Sequence, residues 1–197
     1  MIAFQSSRRM VLLAAAALVA CSPDKPAFRS IDITGADYAR DFQLTDHNGQ
    51  QRSMADFRGK LVVVFFGFTQ CPDVCPTAMT DLVQVKAALG SDGDKLQALF
   101  ITVDPERDTP EVLKAYTANF DPTFLGLRPT LQQLPDLTRH FKIFYKKNEG
   151  PTPSSYTLDH SAGSYVFDLQ GRVRLYTRQG MGAAGLTEDL RLLLKGA

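Results

Sequence analysis

Two cysteines stand four positions apart in Phe65-Phe66-Gly67-Phe68-Thr69-Gln70-Cys71-Pro72-Asp73-Val74-Cys75-Pro76, where a buried-looking apolar run ends and a helix is expected to begin. A thiol at a helix N-terminus feels the positive end of the helix dipole, which lowers its pKa below the free value of about 8.5 and favours the thiolate. Residues i and i+4 near a helix start face one side, with Cβ atoms about 5–6 Å apart. Metal–sulfur bonds of about 2.3 Å allow two sulfurs up to ~4.6 Å apart to share one ion. The pair therefore suits a bidentate thiolate clamp. The spacing is one residue longer than Cys-x-x-Cys, so disulfide chemistry is a second possibility, of unspecified geometry and potential.

Two thiolates leave most metals short of donors, and the chain holds three histidines. His47 falls in a hairpin turn and His140 at the polar end of a helix, and both read as solvated surface. His160, in Tyr156-Thr157-Leu158-Asp159-His160-Ser161-Ala162, precedes the strand of a last hairpin. Whether that segment comes to face the cysteines depends on the fold. Position alone leaves a ligand role and a loop or core role for His160 evenly matched. Two thiolates and an imidazole suit copper, above all Cu(I) at low coordination number, with Cu(II) a further state, whereas structural zinc needs a fourth strong donor. Asp159 is the residue placed to supply one. Asp73 and Asp159 flank the donors as candidates to orient His160 or to neutralise charge from behind the ligands without binding the metal; solvated loop carboxylates describe them equally well. Met79, one turn past Cys75, carries a soft sulfur but falls on an apolar stripe and reads as core.

The elements that must position these residues follow from hydrophobic patterning. Leu61 to Phe66 is a continuous apolar run, as in a central strand covered on both faces. Met79, Leu82, Val83, Val85 and Leu89 form a helical stripe ending near Gly90, and Leu96 to Val103 supplies a second buried strand. Residues 61 to 103 then make a strand–helix–strand unit with parallel strands and a right-handed crossover. Alternation in Asp41 to Asp46 and the Asp46-His47-Asn48-Gly49 turn predict an N-terminal β-hairpin. Asp108-Thr109-Pro110-Glu111 offers a cap and starts a helix through about Asn119. A further helical stretch runs from Leu131 toward Phe141, a hairpin joins Gly163–Asp168 to Arg172–Thr177, and Thr187 to Lys195 is an amphipathic helix. The order is that of an α/β thioredoxin-like fold with an N-terminal β-hairpin extension, expected over residues 37–197.

With 22 basic and 21 acidic residues among 197, the net charge of +1 gives no electrostatic footprint for nucleic acid. Arg8 and Arg9 precede an apolar segment, Met10 to Ala20, too short to cross a bilayer core that needs roughly 20 helical residues. Residues 1–20 read as an export signal peptide. Leu18-Val19-Ala20-Cys21 resembles a bacterial lipobox, which makes Cys21 a lipid anchor and residues 21–36, with Pro23 and Pro26, a lipid anchor and flexible tether. Ser7-Arg8-Arg9-Met10 resembles a twin-arginine signal only weakly, so the export route stays open. The expected location is the bacterial cell envelope, lipid-anchored on the periplasmic side of a membrane. Dithiols oxidise in that compartment, so cysteines kept as ligands need an external reductant.

Three separated motifs together resemble the Sco/SenC family: Phe65 to Pro76, the loop Val103-Asp104-Pro105-Glu106-Arg107-Asp108-Thr109-Pro110, and Asp159-His160-Ser161 with Tyr165. The resemblance covers about residues 38 to 195. It implies a thioredoxin-like fold and a membrane-tethered copper protein that helps assemble the binuclear copper site of cytochrome c oxidase subunit II. Carried over by residue, the copper ligands are Cys71, Cys75 and His160. The implied partners are that subunit, a periplasmic copper donor or thiol reductant, and the membrane itself. Many relatives look anchored by a transmembrane helix, whereas this chain looks lipidated, and Ser22 after the anchor leaves inner and outer membrane both open.

Two functions compete for one site. A copper chaperone passes metal by ligand exchange to a partner dithiol. A thiol-disulfide oxidoreductase would use Cys71 and Cys75 to reduce the oxidase subunit's cysteines, with His160 tuning their pKa. A peroxidase on the same fold would need an activating arginine, and Arg58 and Arg107 sit in no such motif. The Asp104–Asp108 loop shares the rim of the cysteines, where it serves either as a docking surface or only as a turn, a helix cap and a local Arg107 ion pair.

Overall fold

The computed structural model describes residues 27–152 and 155–197. Strands β1 (Ile31–Asp32), β2 (Leu44–Asp46), β3 (Gln51–Arg52), β4 (Leu61–Gly67), β5 (Leu96–Thr102), β6 (Leu125–Arg128), β9 (Ser164–Phe167) and β10 (Val173–Thr177) form one sheet. Its strand order is β1-β10-β9-β4-β5-β6-β2-β3. The two remaining strands, β7 (Tyr145–Asn148) and β8 (Thr157–His160), pair antiparallel as a separate ribbon. Helices α1 (Val74–Ala88), α2 (Pro110–Ala118), α3 (Leu134–His140) and α4 (Gly182–Leu194) cover the sheet.

β4 lies at the centre because every one of its residues is apolar or glycine and every one is buried. Its odd residues Leu61, Val63 and Phe65 pack with α1, α2 and α4, and its even residues Val62, Val64 and Phe66 pack with α3 and the N-terminal segment. The β4–β5 pairing is parallel, from Leu61↔Leu96 to Gly67↔Thr102, so both strands end on one rim with α1 leaving from it. β9 runs antiparallel to β4, and β10 antiparallel to β9. The expected N-terminal hairpin is β2–β3, joined to the sheet through β6.

Several boundaries differ from the expectation. α4 begins at Gly182, not Thr187, because its first turn holds Gly182 and Gly185, whose poor helix propensity hides it from pattern reading. The last helix before the ribbon starts at Leu134, with Pro135 in its first turn, and Leu131 stays exposed. β6 and the β7–β8 ribbon were unexpected; Lys146, Lys147 and Asp159 dilute the alternation of the ribbon. Thr109 caps α2, its hydroxyl accepting from Val112 N–H at 3.3 Å, while Asp108 turns inward.

The stretch read as a tether is structured at its C-terminal end. Ile31 and Asp32 pair with Tyr176 and Leu175, and the buried Asp189 carboxylate accepts from the backbone N–H groups of Arg29 and Ser30 at 2.7 and 2.8 Å. The signal peptide and Cys21 lie outside the described residues. Among the described residues no helix is long and apolar enough to cross a membrane.

Candidate metal centre

The site forms where β4 runs out. After Gly67 the chain turns, Cys71 N–H donating to the Phe68 carbonyl at 3.2 Å, and reaches α1 only at Val74. Cys71 therefore sits in a turn two residues ahead of the helix N-cap Asp73, and Cys75 is the second helical residue. The pair converges through this turn, not along the surface of a helix. Among the described residues both thiols are free.

His160 enters from the other side, at the end of β8. One donor atom from each of Cys71, Cys75 and His160 lies within 4.8 Å of the others, and Cys75 Sγ is 3.5 Å from His160 Nε2. The imidazole edge packs on Phe65 and Phe68, with ring centroids 6.1 and 5.8 Å away. Its Nδ1 lies 2.9 Å from the Ser161 carbonyl, a contact that fixes the Nδ1–H tautomer and turns the Nε2 lone pair toward the sulfurs. Ser161 is itself clamped by Phe144, donating N–H to the Phe144 carbonyl at 2.9 Å and accepting from Phe144 N–H at 3.0 Å through its hydroxyl.

The expected low thiol pKa does not hold for Cys75. The side chain is fully buried, and burial pushes its thiol well above the ordinary value, against the opposing pull of the Phe68 backbone N–H. Burial likewise lowers the pKa of His160, with the Ser161 contact and the charge of Asp159 acting the other way, so the ring is neutral at pH 7 and its nitrogen free to coordinate. Cys71 is partly exposed and is the sulfur that solvent or a partner can reach.

Asp73 and Asp159 are both exposed. Asp159 pairs with Lys146 on the outer face of the ribbon, whereas His160 pairs with Tyr145 on the inner face, so Asp159 acts on the imidazole only through space. It lies outside the donor cluster, and among the described residues nothing completes a four-donor zinc site. Asp73 makes no side-chain cap for α1. Met79 is fully buried on the core side of α1, as expected.

His47 is not solvated surface. Its Nδ1 accepts from Gly126 N–H at 3.1 Å, and half-burial lowers its pKa, which makes it a fold histidine joining the β2–β3 turn to β6. His140 is exposed, with Nε2 accepting from Arg40 N–H.

Three supports for the site were missed in the sequence. A Cβ on Gly67 would lie 2.7 Å from Cys75 Sγ and 2.9 Å from the rings of Phe65 and Phe100, so only glycine leaves room for the sulfur. Asp108, fully buried, accepts from Thr69 N–H at 3.1 Å, Thr69 Oγ1 at 2.6 Å and Thr102 Oγ1 at 2.6 Å, tying the cysteine turn to the end of β5. Arg107 pairs with Asp104, donates to the Tyr156 carbonyl at 2.8 Å and lies 3.6 Å over the Tyr156 ring and 5.9 Å from that of Phe68. The loop is thus an interior brace between β5, the ribbon and the Phe68 ring that flanks His160. The motif order Asp104-x-x-Arg107-Asp108 was visible, but the inward direction of its charges was not.

The donors fit a metal ion. Bonds of about 2.0–2.3 Å hold two donors on one ion up to ~4.6 Å apart, a few tenths of an ångström inside the observed limit. A metal would displace the proton that burial keeps on Cys75.

Comparison with known proteins agrees with this architecture. The SCO1/SenC family model matches residues 32–195. An SCO2-like protein of Rickettsia felis is 37% identical over 154 residues, covering 77% of this chain and 75% of its own. The copper-bound structure of ScoI from Bradyrhizobium japonicum is 37% identical with a TM-score of 0.70, covering 78% of this chain and 97% of that one. The solution structure of apo Sco1 from Thermus thermophilus is 32% identical with a TM-score of 0.74, covering 87% of this chain and 98% of that one. With its thioredoxin-like fold and its Cys71, Cys75 and His160 cluster, the chain belongs to the SCO1/SenC family.

Proposed function

We propose that this protein is an extracytoplasmic copper chaperone that carries copper on Cys71, Cys75 and His160 and delivers it to the binuclear copper site of cytochrome c oxidase subunit II. The observation that carries the proposal is the convergence of two thiols and one neutral imidazole within 4.8 Å, from a turn, a helix start and a separate ribbon. Soft sulfur donors with one nitrogen and no fourth strong ligand match Cu(I) better than zinc. The copper-bound relative supports the same cargo. Of the two sulfurs Cys75 is buried and Cys71 partly exposed, so an acceptor thiolate meets the Cys71 side first and the metal passes by ligand exchange.

The same two free thiols underlie the oxidoreductase alternative. In that reading the partly exposed Cys71 attacks and the buried Cys75, whose thiol burial pushes up, resolves. Anchoring through a lipid on Cys21, on the periplasmic side of the envelope, belongs to the proposal, and mass spectrometry of the membrane-extracted N-terminus tests it.

The test of function is transfer. Copper-loaded protein mixed anaerobically with the reduced soluble domain of subunit II is expected to lose its copper to that domain. Reduction of the oxidised domain by copper-free protein, with no metal transfer from loaded protein, would instead establish the oxidoreductase.

A further inference from the structure

A cleft of about 350 Å³ opens beside the metal centre. Its walls are the outward face of the first two turns of α1, the segment after β8 and the turn between β10 and α4. Val74 at its head precedes Cys75, and Ala162 lies two residues past His160, so the cleft starts where the donor cluster ends. Asp73 and Asp81 stand on one stripe of α1, two turns apart, above an apolar floor that includes Met181 and Leu186. Arg178 on the facing wall pairs with neither carboxylate.

Asp81 is anomalous. Among the described residues, every other carboxylate withdrawn from water has a donor, among them Asp46 with Arg52, Asp104 with Arg107, Asp108 with Thr69, Asp121 with Lys86 and Asp189 with Ser30. Asp81 is half-buried with no hydrogen bond or ion pair, and burial alone pushes its carboxyl up. Leaving a partly desolvated carboxylate without a cation is unfavourable, so its place in this wall fits an external positive charge.

We infer that the cleft docks a lysine or arginine of the protein that exchanges metal with Cys71, Cys75 and His160, borne close to that partner's own metal-binding residues. The inference rests on the chaperone reading proposed above. Ligand exchange requires the partner's donors to reach bonding distance of the ion on its side at the partly exposed Cys71, each new donor bond to the metal replacing one from this chain. That brings the partner's surface over the head of the cleft. A cation seated against Asp81 and Asp73 then fixes orientation, while Met181 and Leu186 take the aliphatic stem of the side chain.

The experiment measures the dissociation constant of copper-loaded protein with the reduced soluble domain of subunit II, for wild type, Asp81→Asn and Asp81→Lys. Copper stoichiometry and thermal unfolding are read on each variant alone. The expected result is unchanged copper loading, about tenfold weaker association for Asp81→Asn with a shallower salt dependence, and a larger loss for Asp81→Lys. Equal dissociation constants for all three would overturn the assignment. No association of the wild type would overturn it along with the delivery proposal, as would self-association of this chain through the same face. Association weakened by the variants but without copper transfer would uphold the cleft and reject delivery.

Discussion

At Cys75 two physical effects oppose each other. The N-terminus of α1 favours a thiolate by typically 0.3–1 kcal/mol, whereas removing a charged sulfur from water shifts a fully buried group by as much as 3–5 pKa units, about 4–7 kcal/mol. Desolvation wins, and the thiol is protonated until a metal displaces the proton. Copper affinity is therefore expected to rise with pH across the neutral range, because binding releases protons. Competition titrations at several pH values check this, and a flat profile would contradict it. Gly67→Ala should drive its new methyl into Cys75 Sγ and lower copper affinity about 10–100-fold, read by the same titration. Residue types and spacing made the two cysteines legible in the sequence, and His160 gained its role only through resemblance. The need for glycine at 67 was hidden because it depends on where the sulfur ends up after the turn.

The elements around the site are held by buried polar ties, not by apolar packing alone. Asp108 joins the cysteine turn to β5 with hydrogen bonds to Thr69 and Thr102. Asp108→Ala leaves those donors without their acceptor and should destabilise the fold by about 2–3 kcal/mol in denaturant unfolding, with weaker copper binding from a looser Cys71 turn. Unchanged stability would show that water replaces the carboxylate. The central strands and α1 were readable because continuous apolar runs and a 3.6-residue stripe are strong patterns. The β7–β8 ribbon was not, since its strands are short and polar and their pairing depends on clamps such as Phe144 with Ser161. That gap left His160 simply ahead of the last hairpin's strand, when it ends a strand of its own.

For the molecule as a whole, the N-terminal segment is part of the folded unit. Ser30 Oγ donates to Asp189 at 2.5 Å, and together with the backbone N–H groups of Arg29 and Ser30 it satisfies a fully buried carboxylate. A chain beginning at residue 34 loses those donors and β1, which should cost about 2–3 kcal/mol and lower the melting temperature by roughly 5–10 °C relative to one beginning at residue 27. Equal melting temperatures would reject this latch. The prolines at 23 and 26 suggested a longer tether because composition says nothing of a distant α4 carboxylate. The central claim concerns the metal centre, and anaerobic copper titration of the reduced protein, read by stoichiometry and X-ray absorption, tests it most directly. One copper bound by two sulfurs and one nitrogen, with the nitrogen lost in His160→Ala, is the predicted result. No tight copper binding, with Cys71 and Cys75 still exchanging disulfides, would contradict it.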